Sequence, residues 1–428
     1  MGIAVSVDGQ PRMQVLDGGL RADEPVPVMS VTKWMVAAVV LRLVDRGLLR
    51  LDDPCGRYLP SFRVQHGQIT LRQLLCHTSG LPSVHPALFL QGLTLGQAVD
   101  ALGATPLLTL PGAEFRYGHC SYQVAGHIAS LVTGKPFARL FHDELVAPLG
   151  LRSTDLEAFG RTENPILAMC ARSSLDDCLH FVEALAGRVG DRSRPYLSPR
   201  MQAEMFRDQV GRLPRAAHPF ADGRPYGLGV FLERTDGRGR ALRAAHPGAF
   251  GFWPWVDFDR RLCGVLAIQG SLPQVGPWVV AMQDWLEHEV WPDGVTQVGH
   301  STPGCDGVLR LWVPGSPRAG VPGYGLRCEQ APPGGLGLLL LGASARNPGL
   351  NLFGSRVLVS PGPGLLQLVV VADPAGTHAM PLPLEHFAPR QGFALQYVWL
   401  EPRDCPARTP VPMSPAIATS PALALELR

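Results

Sequence analysis

A serine and a lysine lie three residues apart at the point where a long apolar run begins. Ser30-Val31-Thr32-Lys33 is followed by residues 34–49, which contain only three charged side chains. This run predicts a mostly buried helix that ends near Gly47. Because positions i and i+3 share a helix face, Ser30 and Lys33 can touch. A serine at a helix N-terminus also lies near free backbone N–H groups, which favour a nucleophile and the oxyanion formed by its attack.

Lysine is scarce in this chain, which gives the Ser30–Lys33 spacing weight. Lys33 and Lys135 are its two lysines, although lysine and arginine together number 38. Arginine cannot give up its proton and therefore rarely replaces a catalytic amine. The simpler alternative is that Ser30 is only an N-cap and Lys33 a surface residue.

Size and composition favour a globular protein of two domains. The chain has 428 residues, 46% of them hydrophobic and 17% charged, with a formal net charge of +2. This charge gives no general attraction to nucleic acid or membrane, and no run of 18 apolar residues predicts a membrane span. The nine cysteines lack C-x-x-C and zinc-ligand spacings, so we expect neither a metal nor another cofactor.

Local patterns predict the first elements. Residues 3–7 and 13–16 alternate like strands around Asp8-Gly9, a dipeptide typical of hairpin turns. Residues 69–75 predict a short helix with Thr70 as its N-cap.

Several short motifs then occur in the order of a known family. They are Ser30-Val31-Thr32-Lys33, Leu51-Asp52-Asp53-Pro54, Tyr58-Leu59-Pro60, Leu74-Leu75-Cys76-His77-Thr78-Ser79-Gly80-Leu81-Pro82, Pro111-Gly112-Ala113-Glu114-Phe115-Arg116-Tyr117-Gly118-His119, Thr133-Gly134-Lys135-Pro136-Phe137, Pro148-Leu149-Gly150-Leu151, Tyr226-Gly227-Leu228-Gly229 and His246-Pro247-Gly248. In this order they resemble the serine β-lactamase-related hydrolases, which include class C β-lactamases, DD-peptidases and esterases. The resemblance covers roughly residues 1–292. It implies an α+β fold, an antiparallel sheet flanked by helices with a helical lobe over about residues 50–190.

Three residues form the minimal catalytic set. Acyl transfer needs a nucleophile, a base and oxyanion donors. Ser30 is the candidate nucleophile, and Lys33 is the candidate base if burial keeps its amine neutral. Tyr117 is the second candidate base, because a phenol lying against a lysine ammonium can have its pKa lowered enough to relay protons. The resemblance assigns this role to Tyr117, whereas a lone tyrosine would more often be a core aromatic.

The resemblance adds residues from the late motifs. His246 occupies the place of a family Lys or His and is a candidate to shuttle a proton or donate to the substrate near neutral pH. Alone, a His before Pro-Gly would more often be a turn residue. Gly248 and Ala249 would begin an edge strand beside Ser30. The N–H groups of Ser30 and Ala249 would then form the oxyanion hole.

Two positions depart from the family pattern and bear on the substrate. His119 replaces an Asn whose amide normally meets the acyl side chain of the substrate. Pro247 replaces a Thr and removes both a hydroxyl and a backbone donor. Both changes weaken the expectation of β-lactam or D-Ala-D-Ala substrates.

The chain changes character near Val295. Short apolar runs recur between Gly/Pro clusters, which predicts an all-β, sandwich-like module over residues 295–428 after a hydrolase domain over residues 1–294. The module weakly resembles Gly/Pro-rich β modules at the C-termini of exported bacterial proteins. Its partner is not predicted.

Three functions remain open. We expect an esterase-like serine hydrolase that acts on a small ester, amide or peptide. The alternatives are a β-lactamase or D-Ala-D-Ala peptidase, and a non-enzymatic binding protein with a degenerate hydrolase fold.

The N-terminus raises a separate hypothesis. No signal peptide is visible, yet the C-terminal resemblance favours export to the periplasm or beyond. The family also carries a helix before the first strand, and without it part of the closing helix would lose cover. The residues concerned include Val279, Met282, Trp285 and Leu286. We therefore predict that the native start lies upstream of Met1, which N-terminal sequencing of the native protein would test.

Overall fold

The computed structural model describes most of the chain. The described residues are 1–90, 92–187, 195–289, 295–298, 309–313, 325–342, 345–352, 355–359, 366–382, 392–400, 417–419 and 422–426. The chain divides into two compact units, Met1–Ala281 and Met282–Arg428. The boundary at residue 294 stays a prediction.

The first unit is built on an antiparallel sheet. The strands of the whole unit are β1 Gly2–Val7, β2 Gln10–Leu16, β3 Val26–Pro27, β4 Phe115–Arg116, β5 Arg172–Ser173, β6 Arg215–Ala217, β7 Phe231–Thr235, β8 Ala241–Ala245, β9 Phe252–Asp257 and β10 Leu262–Ala267. The central sheet runs in the order β2-β1-β10-β9-β8-β7. At its hairpin turn Asp8 and Gly9 have φ of 56° and 73°, the left-handed values that a type I′ turn requires. The predicted hairpin is confirmed.

Helices fill the stretch between β3 and β6 and close the unit. They are α1 Val31–Asp45, α2 Val64–Gly67, α3 Leu71–Leu75, α4 Leu95–Gly103, α5 Cys120–Thr133, α6 Phe137–Phe141, α7 Ala147–Leu149, α8 Leu175–Leu185, α9 Pro199–Met205 and α10 Leu272–Glu289. The last of these begins in the first unit and continues past its end at Ala281. Short 3₁₀ turns span Cys55–Arg57 and Pro86–Phe89, and a π-helical turn spans His142–Val146. The predicted cap on α3 is a full capping box between Thr70 and Gln73.

Helix α1 crosses the core of this unit. Residues 31–41 are all fully buried, as expected of a helix that is apolar on every side. The helix contacts α5, α6, α9 and strand β9. The N-terminus of α1 therefore lies where the sheet meets the helical lobe.

Beyond α10, the described residues of the second unit form strands and no helix. Its strands in the described residues are β11 Val295–Val298, β12 Arg310–Trp312, β13 Gly325–Glu329, β14 Leu336–Gly342, β15 Ala345–Leu352, β16 Ser355–Val359, β17 Leu366–Val371, β18 His378–Pro381, β19 Gly392–Leu400, β20 Ile417–Thr419 and β21 Ala422–Glu426. One sheet runs β11-β21-β19-β14-β17, with β20 paired to β19. The apolar runs of the sequence that predict strands here each contain one; they are 308–313, 336–341, 356–359, 365–372, 393–400 and 422–427. The sandwich arrangement stays a prediction.

The expectation that four apolar side chains of the closing helix α10 would be exposed is confirmed only in part. Trp285 is 55% exposed and Met282 is partly buried, but Val279 and Leu286 are fully buried. The prediction is wrong for the last two residues. None of the helices in the described part of the chain is long and apolar enough to cross a membrane.

Candidate active site

Ser30 is held at the first turn of α1 by a strained neighbour. It occupies the N-cap position without forming a side-chain cap, and its side chain is partly exposed. The preceding Met29 is buried at φ 49°, a left-handed conformation that is uncommon for a side chain of this size. The Thr32 hydroxyl donates to the Met29 carbonyl at 2.5 Å. This turn leaves the Ser30 hydroxyl available for reaction at the surface.

Lys33 points its amine at Ser30. Its Nζ lies 3.1 Å from Ser30 Oγ and donates to the Ala168 carbonyl at 3.0 Å. The side chain is fully buried, and burial lowers the pKa of Lys33 to about 7, because desolvation penalises the ammonium form. A large fraction of the amine is therefore neutral at physiological pH, as a general base requires.

Tyr117 lies against the same amine. The Lys33 Nζ is 4.6 Å from the centre of the Tyr117 ring. The Tyr117 N–H donates to the Ala217 carbonyl at 2.9 Å, so the β4–β6 pairing positions the residue. Burial raises the pKa of the Tyr117 phenol, and a hydrogen bond with the Ser30 side chain partly offsets the increase. The expectation of a lowered pKa is therefore wrong, because burial outweighs the neighbouring amine. The phenol is protonated at neutral pH and is suited to donate a proton.

His246 lies behind Tyr117 in the core. The two ring centroids are 6.1 Å apart, and His246 Nε2 lies 3.2 Å from the Tyr226 hydroxyl. Burial, followed by the Lys33 charge, lowers the pKa of His246 well below its usual value. The imidazole is thus neutral at pH 7. A role for His246 as a group that titrates near neutral pH is not favoured by this environment, and its catalytic role stays a prediction.

The hairpin between β8 and β9 packs against the segment before Ser30. Gly248 and Ala249 lie in its turn, and neither β8 nor β9 is an edge of the sheet, so the prediction that these two residues begin an edge strand is wrong. A Cβ atom at Gly248 would lie 2.4 Å from the Val28 carbonyl oxygen, so only glycine fits without a shift. The Gly248 N–H donates to the Phe252 carbonyl at 2.7 Å. Within the described residues, the N–H groups of Ser30 and Ala249 donate no hydrogen bond to the protein. Both are therefore available for an oxyanion.

His119 is the N-cap residue of α5. Its N–H donates to the Ser83 carbonyl at 2.6 Å. Its ring lies 6.5 Å from Phe89, between centroids, and Nδ1 is buried with no hydrogen-bond partner among the described residues. Burial, followed by the Lys33 charge, lowers the pKa of His119 to about 4. The ring is therefore a neutral hydrogen-bonding group at pH 7.

Two contacts of the site were not predicted from the sequence. The Tyr226 hydroxyl bonds His246, and the Ala168 carbonyl accepts from Lys33. Tyr226 was visible as part of a motif, but nothing local marks Ala168. His77, a residue of the motif from Leu74 to Pro82, has a left-handed φ of 60°, and its buried ring lies 4.7 Å from the Tyr117 ring, between centroids.

Comparison with known proteins places the chain in a family. The family model "Beta-lactamase" matches residues 1–277. The chain belongs to the β-lactamase family.

Similar proteins carry several activities. The chain is 30% identical over 142 residues to the D-alanyl-D-alanine-carboxypeptidase/endopeptidase AmpH of Escherichia coli, which is 31% of this chain and 37% of that protein. It is 33% identical over 152 residues to the esterase EstB of Burkholderia gladioli, which is 31% of this chain and 38% of that protein. The chain thus spans little more than a third of either relative.

A solved structure is similar over most of the first unit. A Bacteroides dorei crystal structure superimposes with a TM-score of 0.59 at 29% identity, covering 66% of this chain and 93% of that one. The predicted β-lactamase/transpeptidase-like fold is confirmed.

Proposed function

We propose that this protein hydrolyses an ester through an acyl-enzyme on Ser30. The observation that carries the proposal is the contact between Lys33 and Ser30. Their side chains lie 3.1 Å apart, and the lysine pKa is lowered to about 7 by burial. A neutral amine can act as the base that activates a neighbouring hydroxyl at a helix terminus. Acyl transfer needs a nucleophile activated in this way.

The proposed reaction begins with proton transfer from Ser30 Oγ to the neutral Lys33 Nζ. The oxygen attacks the ester carbonyl, and the Ser30 and Ala249 N–H groups stabilise the resulting oxyanion. As the carbonyl re-forms, the alcohol leaves with the Tyr117 proton, and the Lys33 ammonium returns a proton to the phenol. A water molecule then attacks the acyl-enzyme with Lys33 as base, which releases the acid and restores the Ser30 hydroxyl.

Esters are favoured over β-lactams by two side chains. Pro247 has no hydroxyl with which to bind a carboxylate. His119 offers one contact per ring nitrogen on a bulkier ring, in place of an amide with an acceptor oxygen and two N–H donors. The similarity to EstB supports this choice. The similarity to AmpH supports the second candidate, a D-Ala-D-Ala peptidase or β-lactamase.

Two active-site probes separate the candidates. A fluorescent fluorophosphonate should label wild-type protein, and a fluorescent penicillin should not. Labelling by both favours the β-lactam candidate. Labelling by neither contradicts an acyl-enzyme and favours the non-enzymatic alternative.

A matched serine gives the control. Ser30→Ala should abolish labelling. Ser198→Ala should leave it unchanged, because Ser198 also caps a helix but hydrogen-bonds Asp45 rather than a lysine. His119→Asn should raise penicillin labelling relative to fluorophosphonate labelling if the missing amide limits β-lactam binding. An unchanged ratio would mean that Pro247 or the shape of the pocket sets the preference instead.

A further inference from the structure

Five large apolar side chains are exposed on two neighbouring loops of the helical lobe. Each is between 48% and 60% exposed. They are Val84, Phe89, Leu90, Leu108 and Leu110, and together they are called the apolar rim. Isolated exposed apolar residues are ordinary, but a cluster beside a reactive group marks a ligand site.

Backbone contacts join the two loops to each other. The Leu108 N–H donates to the Gly80 carbonyl at 2.8 Å, and the Gly112 N–H donates to the Thr78 carbonyl at 2.7 Å. A Cβ atom at Gly80 would lie only 2.2 Å from the Thr109 carbonyl oxygen. The two loops are therefore packed backbone against backbone.

Other contacts join the rim to the candidate active site. The His119 N–H donates to Ser83, the residue before Val84, and the Phe89 ring lies 6.5 Å from the His119 ring. A Cβ atom at Gly118 would lie 2.3 Å from Ser83 Cα. The chain that leads from Tyr117 into α5 is thus in direct contact with the rim.

The rim carries no charge. Residues 78–94 and 101–113 contain no Asp, Glu, Lys or Arg. His85, the histidine within these stretches, accepts from the Ala87 N–H through Nδ1 and bonds the Thr105 hydroxyl through Nε2. The neighbouring His119 is neutral at pH 7, since its pKa is lowered to about 4. These two stretches therefore offer no charged side chain to a ligand.

We propose that the apolar rim binds an uncharged apolar chain or ring of the ester substrate. This inference rests on the proposed ester hydrolysis and names its substrate class, lipophilic esters. Contact with Phe89 and its neighbours would remove the apolar group from water. Each methylene buried in this way should raise kcat/KM by up to about fourfold.

Two substrate series test the proposal and identify which side of the ester the rim binds. One series is p-nitrophenyl esters from acetate to decanoate. The other is acetate esters of alcohols from ethanol to decanol. Both are measured below the concentration at which the esters form micelles. We expect kcat/KM to rise with chain length in at least one series. A flat or falling profile in both would overturn the proposal.

Matched variants locate the effect. In the double variant Phe89→Ser, Leu90→Ser, the ratio of kcat/KM for the longest ester to that for its shortest homologue should fall at least tenfold. Leu131→Ser is the control, because Leu131 is 49% exposed but lies twelve residues, about 18 Å, beyond His119 along α5. Its ratio should match the wild type. An unchanged ratio in the double variant would overturn the proposal.

The failure of this inference and that of the proposed function look different. Fluorophosphonate labelling of Ser30 and hydrolysis of the shortest esters test the acyl-enzyme itself. If both occur without any dependence on chain length, the apolar rim is not a substrate site although the enzyme is an esterase. If neither labelling nor hydrolysis occurs, the proposed ester hydrolysis through Ser30 is itself contradicted. Labelling of the double variant also shows that it is folded, so its ratio can be interpreted.

Discussion

Replacing Lys33 with methionine should stabilise the protein most at low pH. The folded-state pKa of Lys33 is lowered from 10.5 to about 7 by burial. Between these values the unfolded chain binds more protons than the folded one, so wild-type stability rises with pH. The free-energy cost of burying the Lys33 amine is fully present below pH 7 and disappears above the pKa of this lysine in the unfolded chain. Methionine carries no such cost.

The magnitude follows from the size of the pKa shift. Each unit corresponds to about 1.4 kcal/mol, so a lowering to about 7 costs about 5 kcal/mol at pH 6 and about 2 kcal/mol at pH 9. The hydrogen bonds from Lys33 to Ser30 and Ala168 are lost in the variant at both pH values. Their contribution therefore largely cancels when the two pH values are compared. The stability of Lys33→Met relative to the wild type should be about 3 kcal/mol more favourable at pH 6 than at pH 9.

Urea unfolding monitored by tryptophan fluorescence measures this difference, since the neighbouring Trp34 is fully buried. The chain supplies its own control in the other lysine. Lys135 is partly exposed and pairs with Asp143 at 2.6 Å, so Lys135→Met should change stability equally at both pH values. If Lys33→Met changes the free energy of unfolding equally at pH 6 and pH 9, the claim that burial of Lys33 lowers its pKa is refuted.

Three further predictions concern the reaction. Because Lys33 must be neutral to act as the base and has a pKa of about 7, kcat/KM should fall about tenfold per pH unit below that value; a rate independent of pH from 5 to 8 would argue against this base. Tyr117→Phe should lower kcat/KM by about 10²–10⁴-fold, measured with a p-nitrophenyl ester, and wild-type turnover would exclude the phenol as proton donor. Gly248→Ala places a Cβ atom 2.4 Å from the Val28 carbonyl oxygen. We therefore expect kcat to fall while the melting temperature of the second unit is unchanged. Full activity would show that the hairpin between β8 and β9 can shift.

Local structure was predictable where neighbouring residues determine it. The hairpin at Asp8-Gly9, the capping box at Thr70 and the contact between Ser30 and Lys33 depend on residues within four positions of one another. The end of α1 near Gly47 is confirmed, since the helix ends at Asp45 with Arg46 as its C-cap. Leu49 is buried although the helix ends at Asp45, because Gly47 turns the chain at φ 73° and the apolar run continues beyond the helix.

The assembled site was not predictable from local pattern. Lys33 and Ala168 are 135 positions apart, and the pairing of Tyr226 with His246 depends on where two separate segments meet. Only the order of motifs indicated that Ser30, Tyr117 and His246 would converge. The direction of each pKa shift needed the burial of the side chain, which composition does not reveal. Burial also explains why His246, expected to titrate near neutral pH, is neutral in this core.

The most direct test of the account is to trap the acyl-enzyme. Acid-quenching the protein during turnover of a p-nitrophenyl ester, followed by trypsin digestion and mass spectrometry, locates the acyl group. Cleavage after Arg21 and Lys33 releases residues 22–33, in which Ser30 is the one serine. We expect the acyl mass on Ser30 in the wild type and its loss in Ser30→Ala. Turnover with no adduct on Ser30, or with an adduct on another residue, would contradict it.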